Sequence, residues 1–173
     1  MASTTDAAPG DEVTRPAADL PAAPGRWAWL VPAAAVAWSA YVWVTRIANA
    51  WSDEGLGVAD QVATTALSLS FLVLAVGVAL AALHLRSGRA PNAVDRWSMW
   101  LLAGWSIAVW AVRVPQILAA DHSVPFKAVH AVLGLVSIGL ALALLRVAGR
   151  WVAAHRSSAD DAAADPGLLG GRC

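Results

Sequence analysis

The sequence predicts an all-α, polytopic membrane protein: four transmembrane helices in the form of a duplicated helical hairpin, with both termini cytoplasmic (N-in/C-in). Three observations carry that prediction. The chain of 173 residues is 58% hydrophobic and only 14% charged, against about 25% charged in soluble domains, which makes lipid the fitting solvent. Its apolar residues gather in four runs of about 23, each able to cross a core of about 30 Å at about 1.5 Å per residue. One phrase also occurs twice: Trp38 to Arg46 read WSAYVWVTR and Trp105 to Arg113 read WSIAVWAVR, both W-S-x-x-V-W-x-x-R, 67 residues apart.

Residues 1–25 are Ala, Pro, Asp, Thr and Gly without apolar periodicity. They read as a disordered cytoplasmic tail, and they lack the basic start and apolar run of a signal peptide. The transmembrane domain spans 26–150, with helices expected over about 27–50, 62–85, 97–119 and 126–148. Pro32 falls in the first turns of helix one, where proline is tolerated, and Pro115 near the end of helix three, where it kinks. Residues 151–173 return to Ala, Asp and Gly and read as a second disordered tail. Ten tryptophans against one tyrosine suit a protein with two interfaces to anchor. Orientation follows from the basic residues. Arg15, Arg26, Arg86, Arg89, Arg96, Arg146, Arg150, Arg156 and Arg172 flank one side, whereas Asp53, Glu54, Asp60 and Asp121 make the other two loops acidic. By the positive-inside rule the expected location is a bacterial inner membrane, multi-pass, with both tails inside.

The two hairpins match in a second place. Gly77 to Leu83 read GVALAAL and Gly139 to Leu145 read GLALALL, 62 residues apart, the difference from 67 being taken up by a longer first outer loop. Two copies of an even-numbered unit share one topology, so the expected symmetry axis lies along the membrane normal. Gly77-x3-Ala81, Gly104-x3-Ala108 and Gly139-x3-Ala143 are small-xxx-small pairs of the kind that let helices approach closely in lipid. After the second W-S-x-x-V-W phrase and a short acidic loop, Phe126 to Ser137 read FKAVHAVLGLVS. A Trp-rich first helix followed by an aromatic-x-x-Val-His-x-x-Leu opening resembles a family of very small, uncharacterised actinobacterial two-helix membrane proteins. The resemblance implies two such units fused, and implies no activity. The first unit departs from it, with Ser68 standing where the second has His130.

The candidate site follows from helical spacing. Residues at i, i+4 and i+7 share a face, as do Ser39, Trp43 and Arg46; Ser106, Trp110 and Arg113; and Lys127, His130, Gly134 and Ser137. Asp60, Thr64 and Ser68 are the shorter counterpart in helix two. Arg113 should sit about six residues below the outer end of its helix, Arg46 about four or five and His130 about five, forming one polar layer in the outer third. Two readings fit. Arg46, Arg113, His130, Trp43, Trp110, Lys127 and Ser68 form a ligand layer, the arginines clasping an anion while His130 exchanges protons; or the arginines snorkel and the tryptophans anchor the interface.

Several classes are excluded within one chain. The single cysteine, Cys173, permits neither a disulfide framework nor a CxxC redox site. No two histidines lie at one depth for bis-His haem, and no metal or phosphate motif exists. Four-helix exporters that rely on a membrane-embedded glutamate are disfavoured, since the acids are expected in loops and tails. The zero net charge and lack of a basic block give no reason to expect nucleic acid. No cofactor and no enzymatic activity are expected. The expected role is that of an accessory or scaffold protein binding lipid, another membrane protein or a second copy. The alternative is a minimal transporter or channel for a small anion or proton. With Cys173 replaced, Gly55→Cys and Gly88→Cys should label from opposite sides of the membrane; labelling from one side would overturn the topology.

Overall fold

The computed structural model describes residues 25–164; residues 1–24 and 165–173, which include most of the expected tails, lie outside the described residues. The described chain forms four α-helices, α1 (Leu30–Ser52), α2 (Val58–Arg86), α3 (Ala93–Ala119) and α4 (Val124–Ala164). Each is long and apolar enough to cross a membrane. Short connections make successive helices antiparallel neighbours. The packing is heaviest within the α1–α2 and α3–α4 hairpins, lighter between α2 and α3, and sparsest between α4 and α1. The helices thus form a ring with α1 and α3 across its diagonal. One end carries the α1–α2 and α3–α4 turns, hereafter the hairpin end; the other carries the α2–α3 loop and both flanking segments, hereafter the terminal end.

The distribution of side-chain size is inverted relative to a soluble bundle. The core uses small residues such as Ala35, Ala75, Ala81, Ala103, Ala141 and Ala148, while Leu69, Val73, Val76, Leu80 and Leu83 form an exposed stripe along α2. Lipid tails solvate Leu and Val as well as another helix would, so close backbone approach by small residues drives association instead. Gly77 illustrates this: a Cβ there would lie 2.6 Å from Ser98 Cβ of α3. Gly134 is a second such position, where a Cβ would lie 2.4 Å from Val114 Cγ2. Gly104 and Gly139 face open space, so of the three expected small-xxx-small pairs only the Gly77 pair serves an interface within this chain.

Two hydrogen bonds strap the hairpins together. Trp38 Nε1 donates to Ser137 Oγ at 2.9 Å, joining α1 to α4, and Trp105 Nε1 donates to Ser70 Oγ at 3.0 Å, joining α3 to α2. The donors stand 67 residues apart and so do the acceptors. That spacing differs by five residues from the 62 of the G-x-A-L-A-x-L match: the residue 67 before His130 is Ala63, and the residue 62 before it is Ser68.

The terminal end is tied by polar groups. Asn92 caps α3 in a capping box with Asp95, whose carboxylate accepts from the Asn92 backbone N–H at 3.1 Å. The same carboxylate, 1% exposed, accepts from His84 Nδ1 of α2, 3.0 Å from both oxygens. These donors offset the cost of burying the carboxylate, and its position in the first turn of α3 complements the helix dipole. Trp151 of α4, 1% exposed, donates through Nε1 to Arg89 O in the α2–α3 loop at 3.2 Å. Arg86 of α2 lies over the Trp29 ring, 5.0 Å from its centroid.

Three boundaries differ from expectation by four residues or more. α3 starts at Ala93, four residues early, because Asn92 and Asp95 are a cap rather than a loop. α2 starts at Val58, with Asp60 in its first turn. The expected tail from 151 is helix to Ala164: Ala and Arg favour helix, and Trp151 is buried rather than solvated. Acids are therefore not confined to loops and tails, since Asp95 is buried at the start of α3.

Close approach and open space give opposite expectations. Gly77→Ala should destabilise the protein by about 1–3 kcal/mol through overpacking, whereas Gly104→Ala and Gly139→Ala should be neutral or stabilising by up to about 1 kcal/mol from helix propensity. Thermal midpoints in detergent check this; an equal loss at all three positions would contradict the packing.

Candidate functional site

A cavity of about 310 Å³ opens near the hairpin end, between α1, α3 and α4 where the ring is loosest. Arg46 and Arg113 both line it, together with His130, Trp43 and Trp110. Five of the seven side chains expected from helical spacing therefore meet in one place. Arg46 lies six residues before the end of α1, Arg113 six before the end of α3, and His130 six after the start of α4. At about 1.5 Å per residue all three sit about 9 Å from the helix ends. The expected difference in depth between the two arginines is absent.

The tryptophans build the wall rather than a surface belt. Trp43 is buried and stacks on Phe71 of α2, with ring centroids 4.0 Å apart and planes at 17°. Trp110 is buried where Gly134 lets α4 close on α3: a Cβ on Gly134 would lie 3.1 Å from the Trp110 ring. Each indole is one turn before its arginine and fixes the face on which the arginine emerges. His130 Nδ1 lies 2.9 Å from Phe126 O. A carbonyl only accepts, so Nδ1 carries the hydrogen and Nε2 is left as the free position, an acceptor when neutral and a donor when protonated. The Phe126 ring lies 4.1 Å away and holds the imidazole from one side.

Two expected members fall elsewhere. Lys127 donates through Nζ to Leu118 O at 2.9 Å, fastening the start of α4 to the end of α3. Ser68 is buried and donates to Thr64 O at 2.7 Å within α2. Both lie outside the cavity lining. Three polar members were missed: Tyr41, Thr45 and Asn49 of α1. The signal was present, since Asn49 follows Arg46 by three and Thr45 follows Tyr41 by four, spacings that share a face.

The electrostatics are one-sided. No Asp or Glu lines the cavity, and among the described residues the ion pair formed is His84–Asp95 at the opposite end. Two guanidinium groups thus share a recess whose other walls are uncharged side chains and His130, with Val42, Val109, Ile117, Val129 and Leu133 making its aliphatic part. Like charges in a low-dielectric recess raise each other's energy, and a planar fork matches carboxylate or phosphate oxygens. Pro115, two residues after Arg113 within α3, also withholds the N–H that the Ala111 carbonyl would have accepted.

Among the described residues no three His, Cys, Asp or Glu side chains gather as metal ligands. Comparison with protein families, curated proteins and solved structures gives no match to this chain.

Removing one of two unpaired like charges should relieve repulsion. Arg46→Gln and Arg113→Gln should each leave unchanged, or raise by roughly 1–3 °C, the thermal midpoint in detergent free of anionic lipid. A clear fall for both would show that each arginine already has a partner.

Proposed function

We propose that this protein captures an anionic group, the phosphate or carboxylate of a lipid headgroup or a free anion, in the cavity between α1, α3 and α4, and acts as a non-enzymatic lipid-binding accessory protein of the membrane. The observation that carries this reading is that Arg46 and Arg113, from helices across the ring's diagonal, line one cavity with no carboxylate in its lining. Snorkelling arginines would leave separately for the interface; these two share a recess, each emerging one turn after a buried tryptophan. Tyr41 and Asn49 supply further hydrogen-bond donors, the Thr45 hydroxyl being spent on the Tyr41 carbonyl, and the aliphatic walls suit the first carbons of an acyl chain. His130 adds a ring nitrogen, Nε2, left free by the Nδ1 contact with Phe126 O.

The bulk composition and basic-residue distribution support placing the terminal end in the cytoplasm and the cavity toward the outer leaflet. Duplication of one ancestral hairpin, of the small two-helix actinobacterial type that the sequence resembles, is part of the same proposal. It is supported by the repeated W-S-x-x-V-W-x-x-R phrase and by the paired Trp–Ser straps at a common spacing of 67. Only the second copy carries the histidine, so the ancestral pair would have become one asymmetric site.

A second reading, passage of a small anion or proton, has one observation in its favour. A cavity of about 20 Å³ near the bundle centre is lined by Ser39, Ser106 and Ser137 together with Trp38, and that volume holds about one water. Passage would still have to cross the closed layer of Leu102, Ala141 and Leu144.

The test is ligand-dependent stabilisation of the full chain in neutral detergent. Phosphatidylglycerol, phosphatidylcholine and inorganic phosphate are added separately to the wild type and to the Arg46→Gln/Arg113→Gln double variant. Saturation of this cavity at about 100-fold over Kd adds about 2.7 kcal/mol, so the response of the double variant should be smaller than that of the wild type by about that amount. Phosphatidylglycerol alone stabilising the wild type identifies a headgroup, and inorganic phosphate doing so equally identifies a free anion. Equal responses in wild type and variant would refute the reading, and anion or proton flux in proteoliposomes that the double variant abolishes would replace it with transport.

A further inference from the structure

We infer that the groove between α3 and α4 at the terminal end is a second, independent site, built for an anionic phospholipid of the opposite leaflet. This groove, of about 510 Å³, is lined by Arg96 and Trp97 from the first turns of α3, Trp100 one turn further in, and Gly149, Val152 and Arg156 from α4. It lies at the other end of the bundle from the Arg46–Arg113 cavity and shares no lining residue with it.

Three features select a lipid over a soluble anion. The charge is confined to one rim: Arg96 and Arg156 face the groove from two helices and no acidic residue lines it, a pairing that fits one phosphate between two guanidinium forks. The walls are indoles: Trp97 and Trp100 are 65% and 52% exposed, and this side chain belongs where a polar headgroup meets an acyl chain. The groove is also open inward. Nothing stands within 4 Å of the space a side chain would occupy at Gly149 of α4, or at Gly104, one turn beyond Trp100 on the same face of α3, a track for an acyl chain below the phosphate. The site exists because α4 does not stop where its apolar run stops. Burial of Trp151 and its hydrogen bond to Arg89 O hold the extension against the α2–α3 loop, and five residues later Arg156 stands opposite Arg96.

The test is native mass spectrometry of the full chain released from neutral detergent, titrated with phosphatidylglycerol or phosphatidylcholine. It is run in an Arg46→Gln/Arg113→Gln background, so that its outcome does not depend on the outer cavity. That background should bind one phosphatidylglycerol in preference to phosphatidylcholine. Adding Arg96→Gln and Arg156→Gln should weaken the binding roughly tenfold per arginine, and the corresponding Lys variants should retain part of it. Ala153→Phe, which fills the groove without touching its charge, should displace the lipid as well. Unchanged phosphatidylglycerol affinity in either the charge-removed or the filled variant, or equal affinity for phosphatidylcholine, would overturn the inference.

Discussion

Lipid gives four apolar helices no hydrophobic reason to associate, and the structure follows from how the chain overcomes that. Where a soluble bundle buries leucine, the aliphatic core of this one is mostly alanine, with Val78, Leu102 and Leu144 the larger exceptions, and many of its leucines and valines face outward. At Gly77 and Gly134 the bare backbone packs directly against side chains of α3, Ser98 at the first and Val114 and Trp110 at the second, so that dispersion acts at close range. A few polar bonds then fix which helix meets which: Trp38 to Ser137, Trp105 to Ser70, and His84 to Asp95. In hydrocarbon an unmatched indole N–H or hydroxyl has no water to turn to, so each pairing also disfavours slipped registers.

The same economy explains the cavity. Trp43 and Trp110 are equivalent in the repeated phrase, yet their partners differ, Phe71 for one and Gly134 for the other. A large side chain fills one side of the ring, while a glycine draws α3 and α4 together on the other. The seam between α4 and α1 is left thin, and there the two arginines emerge. Two tryptophans of one sequence phrase, packed by different means, leave the bundle with a mouth at its sparsest seam.

How much of this was legible in the sequence depends on the range of the interactions involved. Helix number came from apolar run length, and the convergence of Arg46, Arg113, His130, Trp43 and Trp110 from spacing alone, because residues at equal depth on inward faces have few places to go. Lys127 and Ser68 obeyed the same spacing but satisfied themselves locally, on Leu118 O and Thr64 O, an outcome that periodicity does not separate from convergence. The Asp95–His84 pair was hidden because both residues flank a polar loop and looked solvated; only the turn that folds α3 back on α2 brings them to 3.0 Å. The continuation of α4 had a local signal in its Ala and Arg content, but what holds it to the bundle, Trp151 finding the Arg89 carbonyl, is a tertiary contact with no local signature.

The polar ties are unevenly distributed along the bundle. At the terminal end α2, α3, α4 and their loop are joined through Asp95, His84, Asn92 and Trp151, and α1 is held to α2 by Trp29 and Arg86. At the hairpin end the α4–α1 seam surrounds a recess holding two like charges. The ties at the hairpin end run within each hairpin instead, Trp51 to Thr65 in one and Lys127 to Leu118 O in the other. A wedge driven between the hairpins would therefore open the α4–α1 seam first, where packing is sparsest, and leave the Asp95–His84 tie between α2 and α3 as the hinge.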